Sequence, residues 1–170
     1  MTGPPPNVPH PDEQAGLRTR GGRLAMALEH WMDARSIPLA IWLLRRTKGR
    51  AARLWRRRVL VLTTLGRRSG RERTVVVQFF PDGSDMIVVA ANAGMPSHPG
   101  WYFNLAGHPH ATVEVDGRTI KVRAEELSHE QADAFWPHVL AIAPDYTRYR
   151  ERTTRTIPLL RLVPIPGAPD

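Results

Sequence analysis

Apolar positions change period along this chain, and the changes outline its elements. Over residues 23–35, Leu24, Met26, Ala27, Leu28, Trp31 and Met32 recur at helical spacing. A second short helix is predicted after Pro38, carrying Leu39, Ile41, Trp42, Leu43 and Leu44. Its last turn holds Arg45 and Arg46, where a helix dipole favours cations. Residues 48–58 read as an exposed basic loop. From Val59 the pattern becomes that of strands, with β-branched runs over 59–64, 73–80 and 86–91. Pro81-Asp82-Gly83 is a hairpin signal between the second and third runs. Pro99 opens a short helix reaching to 106. Residues 112–115 and 118–124 alternate around Asp116-Gly117, a second hairpin. Ser128-His-Glu-Gln131 has capping-box spacing and opens a helix running to about Ala143. Pro144 starts a further short helix with Tyr146 and Tyr149, and 157–163 is a last strand. Six short strands with tight turns and peripheral helices predict a small antiparallel β-barrel of the α+β class.

Composition sharpens this picture. The chain has 170 residues, about one domain's worth, and 42% of them are hydrophobic. Residues 1–22 are rich in Pro, Gly and polar side chains and read as a disordered arm, which leaves 23–170 as a single domain. The absence of cysteine excludes disulfides, thiolate metal sites and cysteine nucleophiles. No apolar run approaches the roughly twenty residues of a membrane span, and the first residues lack the pattern of a secretory signal. A cytoplasmic protein is the expectation.

The net charge of +8 is concentrated. Residues 45–73 hold twelve basic side chains and one acid, Glu72, while the remainder is slightly acidic. Arginine dominates, with Lys48 and Lys121 the only lysines. Guanidinium forks suit carboxylates and phosphates.

Three stretches carry candidate chemistry. The first is Thr63-Thr-Leu-Gly-Arg-Arg-Ser-Gly-Arg-Glu-Arg73, a turn between two strands. Gly66 and Gly70 permit a tight turn, Arg67, Arg68, Arg71 and Arg73 supply charge, Ser69 adds a hydroxyl, and successive backbone N–H groups could form an anion nest. The same residues could also be a solvated basic hairpin. It is not a Walker A loop, because GxxxxGK[ST] is unmatched and a strand follows. The second stretch runs from Ala90 and Ala91 through Asn92 to Trp101, Tyr102 and Asn104. Here a strand end passes through a Gly/Pro loop into a helix. Its aromatics could flank a planar ring or pin the helix to the core. In the third, Tyr146 and Tyr149 share a helix face and could offer a hydroxyl to a substrate carbonyl or simply pack. His98 is isolated, and the His108-x-His110 pair lacks further ligands, so no metal site is expected.

Taken together, these blocks resemble the deazaflavin-dependent nitroreductase family of actinobacteria, which includes quinone reductases using reduced coenzyme F-420. The resemblance rests on Thr64-x-Gly66-x-x-Ser69-Gly70-x-x-Arg73, then Pro99-x-Trp101-Tyr102-x-Asn104-Leu105, then Trp136-Pro137, Tyr146, Tyr149 and Arg155-x-Ile157-Pro158, in family order over roughly 59–163. It implies a split, flavin-reductase-like barrel and hydride transfer from F-420 to a small quinone, enone or nitroaromatic acceptor. It also implies that Arg67, Arg68, Ser69, Gly70 and Arg73 bind the coenzyme's anionic tail. By the same likeness Ala90, Ala91, Asn92, Trp101, Tyr102 and Asn104 lie along the deazaflavin, and Tyr146 and Tyr149 line the substrate side as catalytic residues. The chain departs from the family at Val75-Val76, where Asn-Pro is frequent, and at Gln78, Asn92, Ala93, Met95 and Ala143. The tail-binding part is thus better matched than the substrate pocket. The alternatives are an FMN- or haem-binding relative on the same barrel, a coenzyme carrier, and a basic nucleic-acid module, the last disfavoured because aromatics are not interleaved with the arginines. N-terminal helices bearing Trp31, Trp42 and Trp55 could also lie on an anionic membrane surface, although such helices more often cap a core.

Overall fold

In a computed structural model of the chain, residues 41–42, 46–47 and 58–167 are described. The chain divides into two units, Met1–Pro38 and Leu39–Asp170, and the described residues belong to the second. The expected arm, the first helix and the suggested membrane-facing tryptophans other than Trp42 lie outside the described residues. No helix among the described residues is long and apolar enough to cross a membrane.

Six strands form the core: β1 Val59–Leu65, β2 Glu72–Asp82, β3 Asp85–Val89, β4 His110–Val115, β5 Arg118–Glu126 and β6 Leu159–Pro164. Helix α1 spans Gly100–Gly107, α2 His129–Ile142 and α3 Tyr146–Glu151. The strands close into an antiparallel barrel in the order β1-β2-β3-β6-β5-β4. The β1–β2 and β4–β5 hairpins follow directly from their turn residues. Closure needs the long-range pairings of β1 with β4 and of β6 with β3 and β5.

Register decides which side chains meet. Leu62 faces Val75 and Leu60 faces Val77, so Leu60, Leu62, Val75, Val77 and Phe79 point into the barrel. Met86, Val88, Leu160 and Leu162 complete that interior. A second core lies on the outer face of β3 and β6, where Phe80, Ile87, Val89 and Leu159 pack under Trp136 and Val139 of α2. β3 and the start of β6 are therefore buried on both faces, which explains their unbroken apolar runs. Phe80 is fully buried, and a side chain of its kind contributes about 1.5–3 kcal/mol. Helix α2 opens with the expected capping box. Ser128 Oγ accepts from the Gln131 N–H, and the Gln131 side chain accepts from the Ser128 N–H. Both Asx-Gly hairpins form, with Gly83 and Gly117 at positive φ.

Candidate functional site

Antiparallel connectivity gathers the three chemically interesting stretches at one end of the barrel. The turn 66–71 leaves the end of β1 there. β3 finishes and β6 begins there, with Val89 opposite Leu159, and β5 runs up to place Glu126 opposite Leu160. Helix α1 packs Leu105, Trp101 and Tyr102 against the barrel interior at this end. The opposite end holds only the hairpins at 83–84 and 116–117 among these connections.

The arginine turn is tightly built. Gly66 donates to the Arg71 carbonyl at 2.8 Å, and the Ser69 and Gly70 amides both donate to the Gly66 carbonyl. A Cβ on Gly66 would meet Ser69 Oγ at 2.8 Å and the Arg71 carbonyl at 2.9 Å, so only glycine fits. Gly70 sits at φ +62. The Arg67 amide donates to Asn104 Oδ1 at 3.2 Å and the Arg71 amide to Ser69 Oγ at 3.4 Å. These bonds commit the amides of Gly66, Arg67, Ser69, Gly70 and Arg71 within the protein, which leaves little of the backbone anion nest that the sequence suggested. Arg67, Arg68, Ser69, Arg71 and Arg73 are exposed, and no ion pair engages these arginines among the described residues. Arg73 stands opposite Thr64 in the ladder and shares its inward face at the barrel mouth.

The second stretch is anchored by a residue that sequence reading placed only within a resemblance. Arg155 Nη2 donates to the carbonyls of Ala90 at 3.2 Å and Ala91 at 2.7 Å. Its Nε donates to the Met95 carbonyl at 3.0 Å, and Nη1 donates to the Thr156 carbonyl and to His98 Nδ1, the latter at 2.9 Å. One guanidinium thus holds the strand end, the following turn and His98. Of the residues expected along the ring, Ala90 and Ala91 are buried and Asn92 is partly exposed. Asn92 and Ala93 both adopt positive φ, and the Asn92 side chain donates to the Ser97 carbonyl at 3.0 Å. Left-handed backbone suits asparagine and strains alanine.

His98 is not isolated in the fold. Its ring lies 4.6 Å from that of Tyr102 and 5.8 Å from that of Phe103. Burial first, and the neighbouring Arg155 charge second, lower the His98 pKa, against a smaller opposing pull from Glu126. The imidazole is therefore neutral near pH 7, with Nδ1 free to accept from Arg155. Tyr102 donates its hydroxyl to Glu126 at 3.0 Å, and burial followed by that bond raises its pKa.

The tyrosine pair lies on α3. Tyr146 is buried in the second core, edge-on to Phe80, while Tyr149 is half-buried and edge-on to Tyr146 at 5.3 Å. Gly94, at φ +76, brings the 92–94 turn against this helix. A Cβ there would lie 2.8 Å from Arg152 Cβ and 2.9 Å from the Tyr149 carbonyl. The tyrosines therefore join the site through Gly94, whereas Trp101 and Tyr102 join through the barrel core and His98. Among the described residues no cluster could hold a metal ion.

Sequence reading left out Thr64, Gly94, His98, Phe103 and Arg155 as members of one site. A glycine beside a strand end could have flagged Gly94. Arg155 is separated by 57–65 residues from His98, Met95, Ala91 and Ala90, and no spacing links them.

Known proteins agree with this architecture. An F420H(2)-dependent quinone reductase of Mycobacterium tuberculosis is 33% identical over 106 residues, covering 61% of this chain and 71% of the relative. A Mycobacterium bovis relative matches with the same figures. The solved structure of an F420-H2-dependent reductase, FDR-A, superposes with a TM-score of 0.57 at 30% identity, covering 62% of this chain and 94% of that one. A domain-swapped dimer superposes equally well at the same identity, covering 80% of that chain. The profile of the F420H(2)-dependent quinone reductase family matches residues 38–164, a span that holds the arginine turn, α1, the Arg155 anchor and the tyrosine helix. Across three quarters of its length, then, the chain is a member of the F420H(2)-dependent quinone reductase family and an oxidoreductase.

Proposed function

We propose that this protein uses reduced coenzyme F-420 to transfer a hydride to a small hydrophobic acceptor of quinone, enone or nitro type, at the barrel end described above. The observation that carries this reading is the exposed set of four guanidiniums on a rigid turn, beside a helix that presents Trp101 and Tyr102. A tail of phosphodiester and carboxylates is the chemistry such a set would recognise. The absence of acid partners for these arginines among the described residues fits that role. The family match supports the deazaflavin, and the FMN alternative gains no support from it.

In this reading Arg67, Arg68, Ser69 and Arg73 hold the tail, with Gly70 giving the turn its shape. Asn92, Trp101 and Tyr102 border the ring above the floor made by Ala90 and Ala91. When bound, the deazaflavin supplies the hydride from its C5 carbon. The protein's part is to orient, to exclude water and to manage charge. Reduction of a carbonyl or nitro group builds charge on oxygen. The Tyr149 hydroxyl, on the accessible member of the pair, stabilises that charge or delivers a proton, and Tyr146 sets its ring position from behind. The quinone reductases among the relatives make quinones the first acceptors to test.

The test mixes the protein with reduced F-420 and an acceptor panel and follows deazaflavin absorbance. Undetectable coenzyme binding at low salt would end this reading. Arg73→Ala is expected to raise the coenzyme Kd at least tenfold while turnover at saturation changes by less than about twofold, as befits lost charge-assisted binding. An unchanged Kd would remove Arg73 from the site.

A further inference from the structure

Helix α1 meets the arginine turn at two consecutive residues. Asn104 commits both ends of its amide to the protein. Its Oδ1 accepts from the Arg67 N–H at 3.2 Å, and its Nδ2 donates to Thr64 Oγ1 at 3.0 Å. Thr64 in turn donates its hydroxyl to the Arg73 carbonyl at 3.4 Å. One residue earlier, the Phe103 ring lies 4.8 Å from the Arg67 guanidinium, a cation–π distance. Arg67 lies in the first part of the turn and Arg73 just beyond it, and one polar chain ties the two together: Arg73 carbonyl, Thr64 hydroxyl, Asn104 amide, Arg67 N–H.

From this arrangement we infer that Asn104 and Thr64 are positioning residues that fix the spacing of the turn's guanidiniums before an anionic ligand arrives. The inference rests on the reading that this turn receives the coenzyme's tail, and it gives Asn104 a different task from bordering the ring. Thr64 is 1% exposed, and its hydroxyl is engaged on both sides by the bridge. A flexible polyanion binding to a turn already held in shape loses less free energy to ordering the receptor. Phe103 serves the same end by seating the Arg67 side chain.

The test compares two ligands, coenzyme F-420 and a deazaflavin lacking the phosphate and carboxylates. They are titrated into the wild type, Thr64→Val, Asn104→Ala, the double variant and Arg73→Ala. Thr64→Val preserves shape and removes only the hydroxyl. Each single bridge variant is expected to weaken F-420 about tenfold, the net worth of one hydrogen bond at a charged site. The double variant should be no worse than either single, because the two side chains act as one unit. The tail-less deazaflavin should bind all bridge variants as it binds the wild type. Hydrogen exchange at the Arg67 amide should accelerate in Asn104→Ala.

Several outcomes would overturn the inference. Wild-type F-420 affinity in Thr64→Val would do so, as would equal weakening of both ligands or unchanged exchange at Arg67. A wild type that binds no F-420, or an Arg73→Ala variant that binds it normally, would instead overturn the functional reading beneath it.

Discussion

Arg155→Ala will destabilise the protein by about 3 kcal/mol and lower its melting temperature by roughly 10 °C. The change removes five hydrogen bonds that reach the carbonyls of Ala90, Ala91, Met95 and Thr156 and the ring of His98. Partly buried acceptors are left behind, and leaving acceptors unmade costs more than the bond itself was worth. Arg155→Lys will recover little, because a single ammonium cannot span acceptors that a planar fork reaches together. Coenzyme affinity should fall with stability, since the strand end at Ala90–Ala91 loses its anchor. A melting curve within about 2 °C of wild type would show that water replaces the guanidinium without cost.

The same cluster predicts a pH signature. Burial and Arg155 hold His98 below its ordinary value of 6.5, so the unfolded chain binds the proton more readily than the folded one. Stability is therefore fully present above about pH 6.5 and is lost as pH falls from there through the folded value. The groups facing the imidazole are Arg155, Glu126 and Tyr102. His98→Asn keeps an acceptor for Arg155 and removes the titration, so its melting temperature should fall less steeply between pH 6.5 and 5. Parallel slopes in the two proteins would exclude His98 as the source.

Gly94→Ala is the second large effect, expected to cost about 3 kcal/mol. The residue lies at φ +76, where an L side chain is strained, and its new Cβ would strike Arg152 Cβ and the backbone of Tyr149. Neither obstacle is the loose end of a side chain, so helix α3 or the 92–94 turn must move. The Tyr146–Tyr149 pair rides on that helix. Acceptor turnover should drop more than coenzyme affinity, in contrast to Arg73→Ala. A variant with wild-type melting and turnover would show that the turn and the helix are not braced against each other.

Local rules account for what could be read early. β-branched runs, the two Asx-Gly turns and the Ser128–Gln131 capping box each involve residues within a few positions of one another, so their chemistry is visible along the chain. The glycine-spaced arginine turn was legible for the same reason, and together with α1 and the tyrosine helix it carried the family resemblance. Other features depend on distance in sequence. Nothing near Arg155 announces that its acceptors lie in the loop after β3. Asn104 reads as a ring neighbour until the fold lays it against Thr64 and Arg67. Most backbone amides of the turn look available for an anion until closure of the β1–β2 hairpin and the approach of α1 occupy them.

By itself the amino-acid sequence determined the strands, the turns and the concentration of positive charge, because these follow from periodicity, backbone freedom and composition; the coenzyme to suspect came from the likeness of its motifs to a known family. Only the tertiary structure decided which ends of those strands meet, that Tyr146 is the buried member of the tyrosine pair, and that Asn104 and Arg155 each bond segments far from them in the chain. Hydrogen-bond partners of buried and half-buried polar groups are chosen by barrel closure, which joins segments that carry no mark of one another.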